Sequence, residues 1–546
     1  MDTSSFSPVI IPASTRATRL GVHATCALLA AALTACATPR SAQTAAAAAI
    51  PASASIASTA PTPVEPVPQA PLAAAATFDA AWTTIRDQHF DATLNGVDWI
   101  AVREELRDRA VQAESEEALR EVLDDMLSRL GQSHFAIIPH EAVRAKTAAT
   151  AAVETVRAPS GLAPQSRGVD AIVSNETPAD AAAADGAGAP GILGLDVVVL
   201  GSSAVVTHVA SDSPASREGV TPGWVVETVR GVPVSDAIAP MQVALQNASL
   251  SQSNEVRKLR YELAALASSM LHARVDDAIR VGFLLPDGSR VVRDLRAVPA
   301  SLGVTQFGNL PPMAVEVEQA RMSWTSAPEM GTPATSIGVL RFNIWMPAAS
   351  QALDQSIDAL RDCDGIVLDL RANPGGVGAM AMGLAGHFLK KPRSLGTMTM
   401  RDTALEFKTN PRRVTSSGEV TKPYARPLAI LVDSRSASTS EVFAGGMQSL
   451  KRARVFGEVT AGMALPAHAV ELPNGDVLMH AIANFTRSDG TVLEGIGVIP
   501  DDAVTVDLAS IQASTSGDPV LDAACEWIAA CSNAARASTT AAVSNP

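Results

Sequence analysis

The feature that most constrains the fold is an alternation of short apolar runs with helical patterns after Ser336. The apolar runs are as short as strands, and they are continuous, as in strands buried on both faces of a sheet. The expected strands are 339–344, 365–370, 428–432 and 455–457, and the expected helices are 349–361, 378–389 and 441–451. Such alternation predicts an α/β core with a largely parallel sheet, followed by a hairpin at Asn474-Gly475.

A glycine-rich turn follows the strand predicted at 365–370. The sequence there is Leu-Asp-Leu-Arg-Ala-Asn-Pro-Gly-Gly, ending at Gly376. Glycines let backbone amides turn toward a bound group, which an oxyanion hole requires, and the Gly375 amide is the candidate donor. Taken alone, the segment is better explained as an ordinary strand–turn–helix joint.

A serine follows the next strand, at the start of the helix predicted at 441–451. Ser438 and Glu441 have the spacing of a capping box, so Ser438 could serve only to cap the helix. The same position has a functional interpretation, because a serine oxygen at a helix N-terminus lies in a positive field. The Thr439 amide could then receive a developing oxyanion. These residues alone favour the cap.

Together, these motifs resemble the tail-specific, or C-terminal processing, serine peptidases. In that family the motifs are Asp-Leu-Arg-x-Asn-x-Gly-Gly and Ser-Ala-Ser-x-Ser-Glu, followed by Gly-Glu-x-Thr, which is present here at 457–460. The resemblance implies an α/β catalytic core with a layered sheet like that of ClpP and crotonase. It also implies that Ser438 is the nucleophile, and that neither a cofactor nor a metal is needed.

One departure from the better-known branch of the family bears on the mechanism. That branch pairs its serine with a lysine, and this chain has Met463 at the corresponding place, which cannot accept a proton. A second branch resembles the tricorn protease core and uses a Ser-His pair with a late glutamate, which Ser133, His134 and Glu494 match. The resemblance implies that His134 is the general base and that Ser133 and Glu494 orient its ring. His468 is the reserve base.

The remaining sequence divides into segments around this core. Three helical stripes beginning at Phe78, Trp99 and Leu119 predict an N-terminal helical domain. The β-rich pattern after residue 188 resembles a circularly permuted PDZ domain, although Gly223-Trp224 replaces the usual Gly-Asp. Its candidate carboxylate-binding loop is Leu193-Gly194-Leu195. The expected boundaries are 77–145 for the helical domain, 146–188 for an insertion, 189–300 for the PDZ-like domain, 301–510 for the peptidase core and 511–546 for a C-terminal helix and tail.

The N-terminus reads as an export signal. Arg16 and Arg19 precede a short apolar run, too short to span a bilayer, that ends in Leu-Thr-Ala-Cys. This ending resembles a bacterial lipobox, which implies a signal peptide at 1–35, lipidation at Cys36 and an Ala/Pro-rich tether at 36–76. We therefore expect a lipid-anchored protein of the bacterial cell envelope that faces the periplasm, at the outer rather than the inner membrane. In the C-terminal helix, Cys525 and Cys531 are expected to be unpaired buried thiols, with a local disulfide as the alternative.

Two functions remain open from the sequence. The first is a serine endopeptidase acting on exported proteins or their C-terminal tails, and the second is a periplasmic binding protein that keeps the fold without turnover. The complete set of Ser438, His134, Ser133 and Glu494 favours the first. The formal net charge of −14 argues against a nucleic-acid partner. Protein or peptide substrates are therefore the expected partners, together with the membrane that holds the anchor.

Overall fold

The computed structural model describes residues 70–144, 189–248, 253–306, 310–326 and 331–543. The predicted signal peptide, Cys36 and the insertion predicted at 146–188 lie outside the described residues. Among the helices that are described, none is long and apolar enough to span a bilayer.

The N-terminal helices form a small core of their own. The predicted stripes are confirmed, since Phe78, Leu106 and Met126 are fully buried there. The first helix begins earlier than predicted, inside the segment assigned to the tether, because its alanine-rich start favours helix. Asp98 and Ser115 cap the next two helices. The elements are α1 (Ala70–Gln88), α2 (Trp99–Val111), α3 (Glu116–Ser128), β1 (Ala136–Ile138) and α4 (His140–Arg144).

The β-rich region that follows has a five-strand path in the order β3-β4-β5-β8-β9, in which β3 lies at an edge. Strands β3, β4 and β5 form part of the β-rich pattern expected after residue 188. Two helices, α6 and α7, lie between β6 and β7. The elements are β2 (Pro190–Ile192), β3 (Leu195–Leu200), β4 (Ser203–Val209), α5 (Pro214–Arg217), β5 (Val225–Val229), β6 (Val232–Pro233), α6 (Val234–Asn247), α7 (Ser253–Ser269), β7 (Ala273–Arg274), β8 (Ala278–Leu284), β9 (Arg290–Arg296) and β10 (Val298–Pro299).

The core is a six-stranded sheet in the order β13-β14-β15-β18-β19-β23. All its pairings are parallel except that of β13 with β14, so the predicted α/β core is confirmed. Helices cover both faces, and every residue of β15 and β18 is buried. The first half comprises β11 (Val304–Thr305), β12 (Met313–Ala314), β13 (Val317–Trp324), β14 (Thr335–Phe342), α8 (Ser350–Ala359), β15 (Gly365–Asp369) and α9 (Ala379–Ala385).

The second half of the core adds two small sheets to the central one. Strands β16, β17 and β22, which the sequence did not predict, form one sheet, and β20 and β21 form the predicted hairpin. The elements are β16 (Arg393–Thr399), β17 (Ala404–Thr409), β18 (Leu428–Val432), α10 (Thr439–Ser449), β19 (Arg454–Gly457), β20 (Ala467–Glu471), β21 (Val477–Ala481), β22 (Asn484–Arg487), β23 (Asp502–Ala503), α11 (Leu508–Ala513) and α12 (Pro519–Val543).

Two pairings bring the site residues together. Asp369 at the end of β15 lies beside Leu431 near the end of β18, so the glycine-rich turn and the Ser438 segment leave the sheet at the same edge. Strand β1 pairs with β21, which attaches the N-terminal helices to the core directly after Ser133 and His134.

The described cysteines are unpaired, as predicted. Cys363, Cys525 and Cys531 are all free, and the last two lie on α12. Cys531 is only partly buried, which corrects the expectation that both thiols of this helix are buried.

Candidate active site

Ser438 lies on a sharp turn between β18 and α10. Its φ is 52°, a left-handed conformation that is uncommon for a non-glycine residue. Its amide donates to the Met463 carbonyl at 2.8 Å and to Glu441 Oε2 at 3.1 Å. The predicted capping box is therefore present, but in a backbone conformation that an ordinary cap does not need. Strain of this kind is typical of residues held for function.

Glu441 organises the segment opposite Ser438. It is fully buried, and its carboxylate accepts from the Thr460 hydroxyl at 2.5 Å and from the Gly462 and Met463 amides at 2.7 and 3.0 Å. Burial raises the pKa of Glu441 to about 7, against the lowering effect of these three donors. One carboxyl group thus fixes the turn at Ser438 and the chain at 460–463 relative to each other.

The predicted Ser133–His134–Glu494 group is assembled. Ser133 Oγ is 2.8 Å from His134 Nδ1 and donates to Glu494 Oε2 at 2.9 Å. Glu494 also accepts from the Ser133 amide at 2.8 Å and from the Ala464 amide at 2.9 Å. His134 has a φ of 62°, so it occupies a left-handed conformation, as Ser438 does.

The hydrogen bonds determine the tautomer of His134. A serine hydroxyl has one proton, and Ser133 gives it to Glu494, so it can only accept from the ring. His134 therefore carries its proton on Nδ1 and a lone pair on Nε2. Burial lowers the pKa of His134 to about 4, which keeps the ring neutral at physiological pH. A neutral ring with an unprotonated Nε2 is the form that a general base requires.

Ser438 and the histidine group are joined through one short segment. Met463 accepts from the Ser438 amide, and the next residue, Ala464, donates to Glu494. Within the described part of the chain, no hydrogen bond links Ser438 Oγ with His134, and Nε2 has no partner. Ser438 and the group that contains His134 thus contact adjacent residues of the segment 463–464.

The glycine-rich turn lies directly against Ser438. A Cβ placed on Gly375, whose φ is +103°, would lie 2.6 Å from Ser438 Cβ and 2.9 Å from the Thr439 amide nitrogen. The Gly375 amide, which was predicted as an oxyanion donor, donates to Asn373 Oδ1 at 3.0 Å in this structure. Among the described residues, the amides of Gly376 and Thr439 have no acceptor. These two amides are therefore better placed than the Gly375 amide to bind an oxyanion.

The other candidate bases lie elsewhere. His468 is exposed on β20, with its ring 6.1 Å from that of His480, and no described contact links it to Ser438. His387 is buried, and its Nε2 is 2.8 Å from Asp354 Oδ1.

Three contributors to the site are not evident from the sequence. The capping-box spacing identifies Glu441 only as a capping residue, although its side chain also contacts residues 460–463. The Gly376 amide was not predicted as a donor, because the rotamer of the neighbouring Asn373 side chain leaves no signal in the sequence. Arg257 on α7, which lies beside Gly462, was not predicted either.

The predicted carboxylate-binding loop is a tight turn that leads into the edge strand β3. Gly194 has a φ of +75°, and its carbonyl accepts from the Ala210 amide at 2.9 Å. In the described part of the chain, the Leu193 and Gly194 amides have no acceptor. These two donors are therefore available to an anionic group at the end of β3.

Comparisons with known proteins bear on this geometry. Residues 336–504 match the model of peptidase family S41, and residues 73–128 match the tricorn protease C1 domain. A carboxyl-terminal-processing protease of Synechocystis is 28% identical over 222 residues, covering 40% of this chain and 47% of that protein. Carboxyl-terminal-processing peptidase 2 of Arabidopsis thaliana is 29% identical over 218 residues, covering 40% of each. The chain thus spans less than half the length of either relative.

The fold has a counterpart among solved structures. A crystal structure of a CPAF mutant superposes with a TM-score of 0.50 at 12% identity, covering 84% of this chain and 98% of that chain. This likeness concerns the fold alone.

Proposed function

We propose that this chain is a serine endopeptidase acting on exported proteins or their C-terminal tails, and the match of residues 336–504 to the model of peptidase family S41 supports this proposal. The observation that carries the proposal is the group formed by Ser133, His134 and Glu494, which leaves an unprotonated imidazole nitrogen and is connected through residues 463–464 to a serine on a strained turn. This arrangement has the parts of a nucleophile–base–orienter set.

In the proposed reaction, Ser438 Oγ attacks the scissile carbonyl and its proton passes to His134 Nε2. The tetrahedral intermediate then collapses, and the proton moves from Nε2 to the leaving amine, which leaves an acyl group on Ser438. Water repeats the sequence and releases the acid. Substrate binding must bring Oγ and Nε2 within hydrogen-bonding distance, a tightening that is common between free and bound enzymes.

The amides of Gly376 and Thr439 are the proposed oxyanion donors. The Thr439 amide opens α10, where the helix dipole adds a positive partial charge. The positive φ of Ser438 and the absence of a side chain at Gly375 allow these two segments to approach each other closely. One such donor typically contributes about 3–4 kcal/mol to the transition state.

A fluorophosphonate probe tests this function against the alternative of a binding protein without turnover. We expect the wild-type protein to be labelled at Ser438, because only an activated serine reacts with the probe. Ser438→Ala should not be labelled, and a Ser434→Ala variant, in the same turn, should be labelled normally. A folded wild-type protein that resists the probe would favour the binding protein.

We also propose that the β-rich region is a PDZ-like domain that holds a substrate's C-terminus. Strand β3 is an edge strand, so an extended peptide could extend the sheet there. The Leu193 and Gly194 amides would receive its carboxylate. A cavity of about 340 Å³ is lined by Ile192 beside this loop, by Tyr261 on α7 and by Pro374 next to Gly375, and it offers a path toward the site.

This proposal predicts a dependence on the peptide's terminal charge. A fluorescent peptide with a free C-terminal carboxylate should bind the Ser438→Ala protein about tenfold or more tightly than the same peptide with a C-terminal amide. Fluorescence anisotropy measures both affinities without turnover. A peptide capped at its N-terminus is the control and should bind like the free form. Equal affinities for carboxylate and amide would refute a carboxylate-binding loop.

The predicted anchor at Cys36 and the envelope location remain proposals from the sequence. Radiolabelled palmitate should enter the wild-type protein and not Cys36→Ser, and equal labelling of both would rule out acylation at this cysteine.

A further inference from the structure

Helix α7, which belongs to the β-rich region, lies on the catalytic turn. Tyr261 forms a buried cluster with Ala437, Ala461 and Met463. Ala437 directly precedes Ser438, and the Met463 carbonyl accepts a hydrogen bond from the Ser438 amide. Further along α7, Ser268 accepts from Arg435 at 3.0 Å, and Arg435 lies in the same turn as Ser438. Helix α7 therefore packs against the segment that contains Ser438 from Tyr261 to Ser268.

Arg257 lies one turn before Tyr261 on the same helix. It is on the side that faces the carboxyl groups of Glu441 and Glu494. A Cβ placed on Gly462 would lie 3.1 Å from Arg257 Nε, so the guanidinium packs against this residue. The Gly462 amide donates to Glu441 at 2.7 Å, and its carbonyl accepts from the Gly495 amide at 2.8 Å, next to Glu494. Arg257 thus lies where the segments of both glutamates meet.

We propose that Arg257 is a positioning residue of the catalytic centre, supplied by the β-rich region, whose positive charge keeps Glu494 an ionised acceptor for Ser133. The inference rests on the proposed peptidase function. It adds that the catalytic group is electrostatically complete only when α7 is docked on the core.

The charges around Glu494 support this role. Its neighbours are the carboxyl of Glu441, the neutral ring of His134 beyond Ser133, and the guanidinium of Arg257. Burial raises the pKa of Glu494, while the Ser133 and Ala464 amides and the charge of Arg257 lower it. Glu494 in turn lies near Glu441 and helps to raise its pKa. The described residues around this point therefore include one cation, Arg257, and two carboxyl groups, Glu441 and Glu494.

The ionisation of Glu494 affects His134, the proposed base, through the tautomer of its ring. If Glu494 is protonated, Ser133 need no longer donate to it, and the bond that keeps the His134 proton on Nδ1 is weakened. Nε2 then ceases to be reliably unprotonated. Because the pKa of His134 itself is about 4, activity should be lost on the acid side through Glu494 before it is lost through the ring. Removing Arg257 should move that loss to higher pH.

The test is a pH profile of kcat/KM, and of fluorophosphonate labelling, for Arg257→Ala and Arg257→Lys. We expect Arg257→Ala to move the acid limb upward by about one pH unit and to lower kcat/KM near the wild-type limb about tenfold. Arg257→Lys should restore most of both, because it keeps the charge. Arg260→Ala, which removes an exposed arginine from the same helix, is the control and should match the wild-type protein.

Each other outcome has a definite meaning. Higher activity in Arg257→Ala would overturn the proposal and show that α7 inhibits the site. An unchanged acid limb, or a loss that lysine does not rescue while the melting temperature falls, would show a purely structural role. If the wild-type protein does not react with the probe, the peptidase function itself fails, and this result is distinct from a failure confined to Arg257.

Discussion

Replacing either Ser438 or His134 with alanine is expected to lower kcat by about 10⁴-fold or more, and the double variant should be little worse than either single one. The reason is that the two groups act as one unit, so removal of either ends the same proton transfer. In the proposed mechanism, the hydrogen bond of 2.8 Å between Ser133 Oγ and His134 Nδ1 keeps the ring proton on Nδ1, which leaves Nε2 able to accept the proton of Ser438. Steady-state hydrolysis of a fluorogenic peptide measures all three variants.

Two further variants make this prediction specific. Glu494→Gln should retain partial activity, because the amide still offers an oxygen to Ser133 but lacks the charge that favours the correct tautomer. His468→Ala, which removes an exposed histidine from β20, should be close to wild type. Near-normal activity in His134→Ala together with loss in His468→Ala would contradict the assignment of the base.

Gly375→Ala is expected to lower kcat at least about a hundredfold, through geometry alone. The new Cβ would lie 2.6 Å from Ser438 Cβ and 2.9 Å from the Thr439 amide nitrogen, distances that real side chains do not tolerate. The backbone must also keep a φ of +103°, which alanine disfavours. Because the glycine turn has to move, the oxyanion donors and the nucleophile lose their relative placement.

Gly383→Ala provides the matched control. Gly383 lies in α9, close in sequence to the turn, and a Cβ placed there would meet no atom within 4 Å. This variant should keep full activity and gain up to about 1 kcal/mol of stability from the helix propensity of alanine. Comparable kinetics for the two glycine variants would show that the close approach at Gly375 is unimportant for turnover.

The core could be predicted from the sequence because its strands are buried on both faces. Strand β15 (Gly365–Asp369) and strand β18 (Leu428–Val432) are unbroken apolar runs, which few other structures explain. Strands β16, β17 and β22 could not be predicted in the same way. They are partly exposed and mixed in composition, and they are defined by pairing with each other rather than by local pattern.

The candidate site shows a similar division. The family motifs were sufficient to select Ser438, Ser133, His134 and Glu494, and the structure brings the last three into one hydrogen-bonded group. Which glycine amide remains unpaired depends on the rotamer of Asn373, and the position of Arg257 depends on how α7 docks. Neither property leaves a periodic or compositional trace, because both arise from contacts between distant parts of the chain.

The pairing of β1 with β21 bears on when the proposed catalytic group can first assemble during synthesis of the chain. Ser133 and Glu494 are 361 positions apart, and the loop bearing His134 is fixed by a strand of the late hairpin. At a synthesis rate of about 5–20 residues per second, the orienting glutamate is made about 20–70 s after the base. A partly synthesised chain therefore lacks the complete proposed catalytic group. In the proposed mechanism, hydrolysis can begin only after the last quarter of the molecule has folded back onto the first, which would prevent premature cleavage in the cell making it.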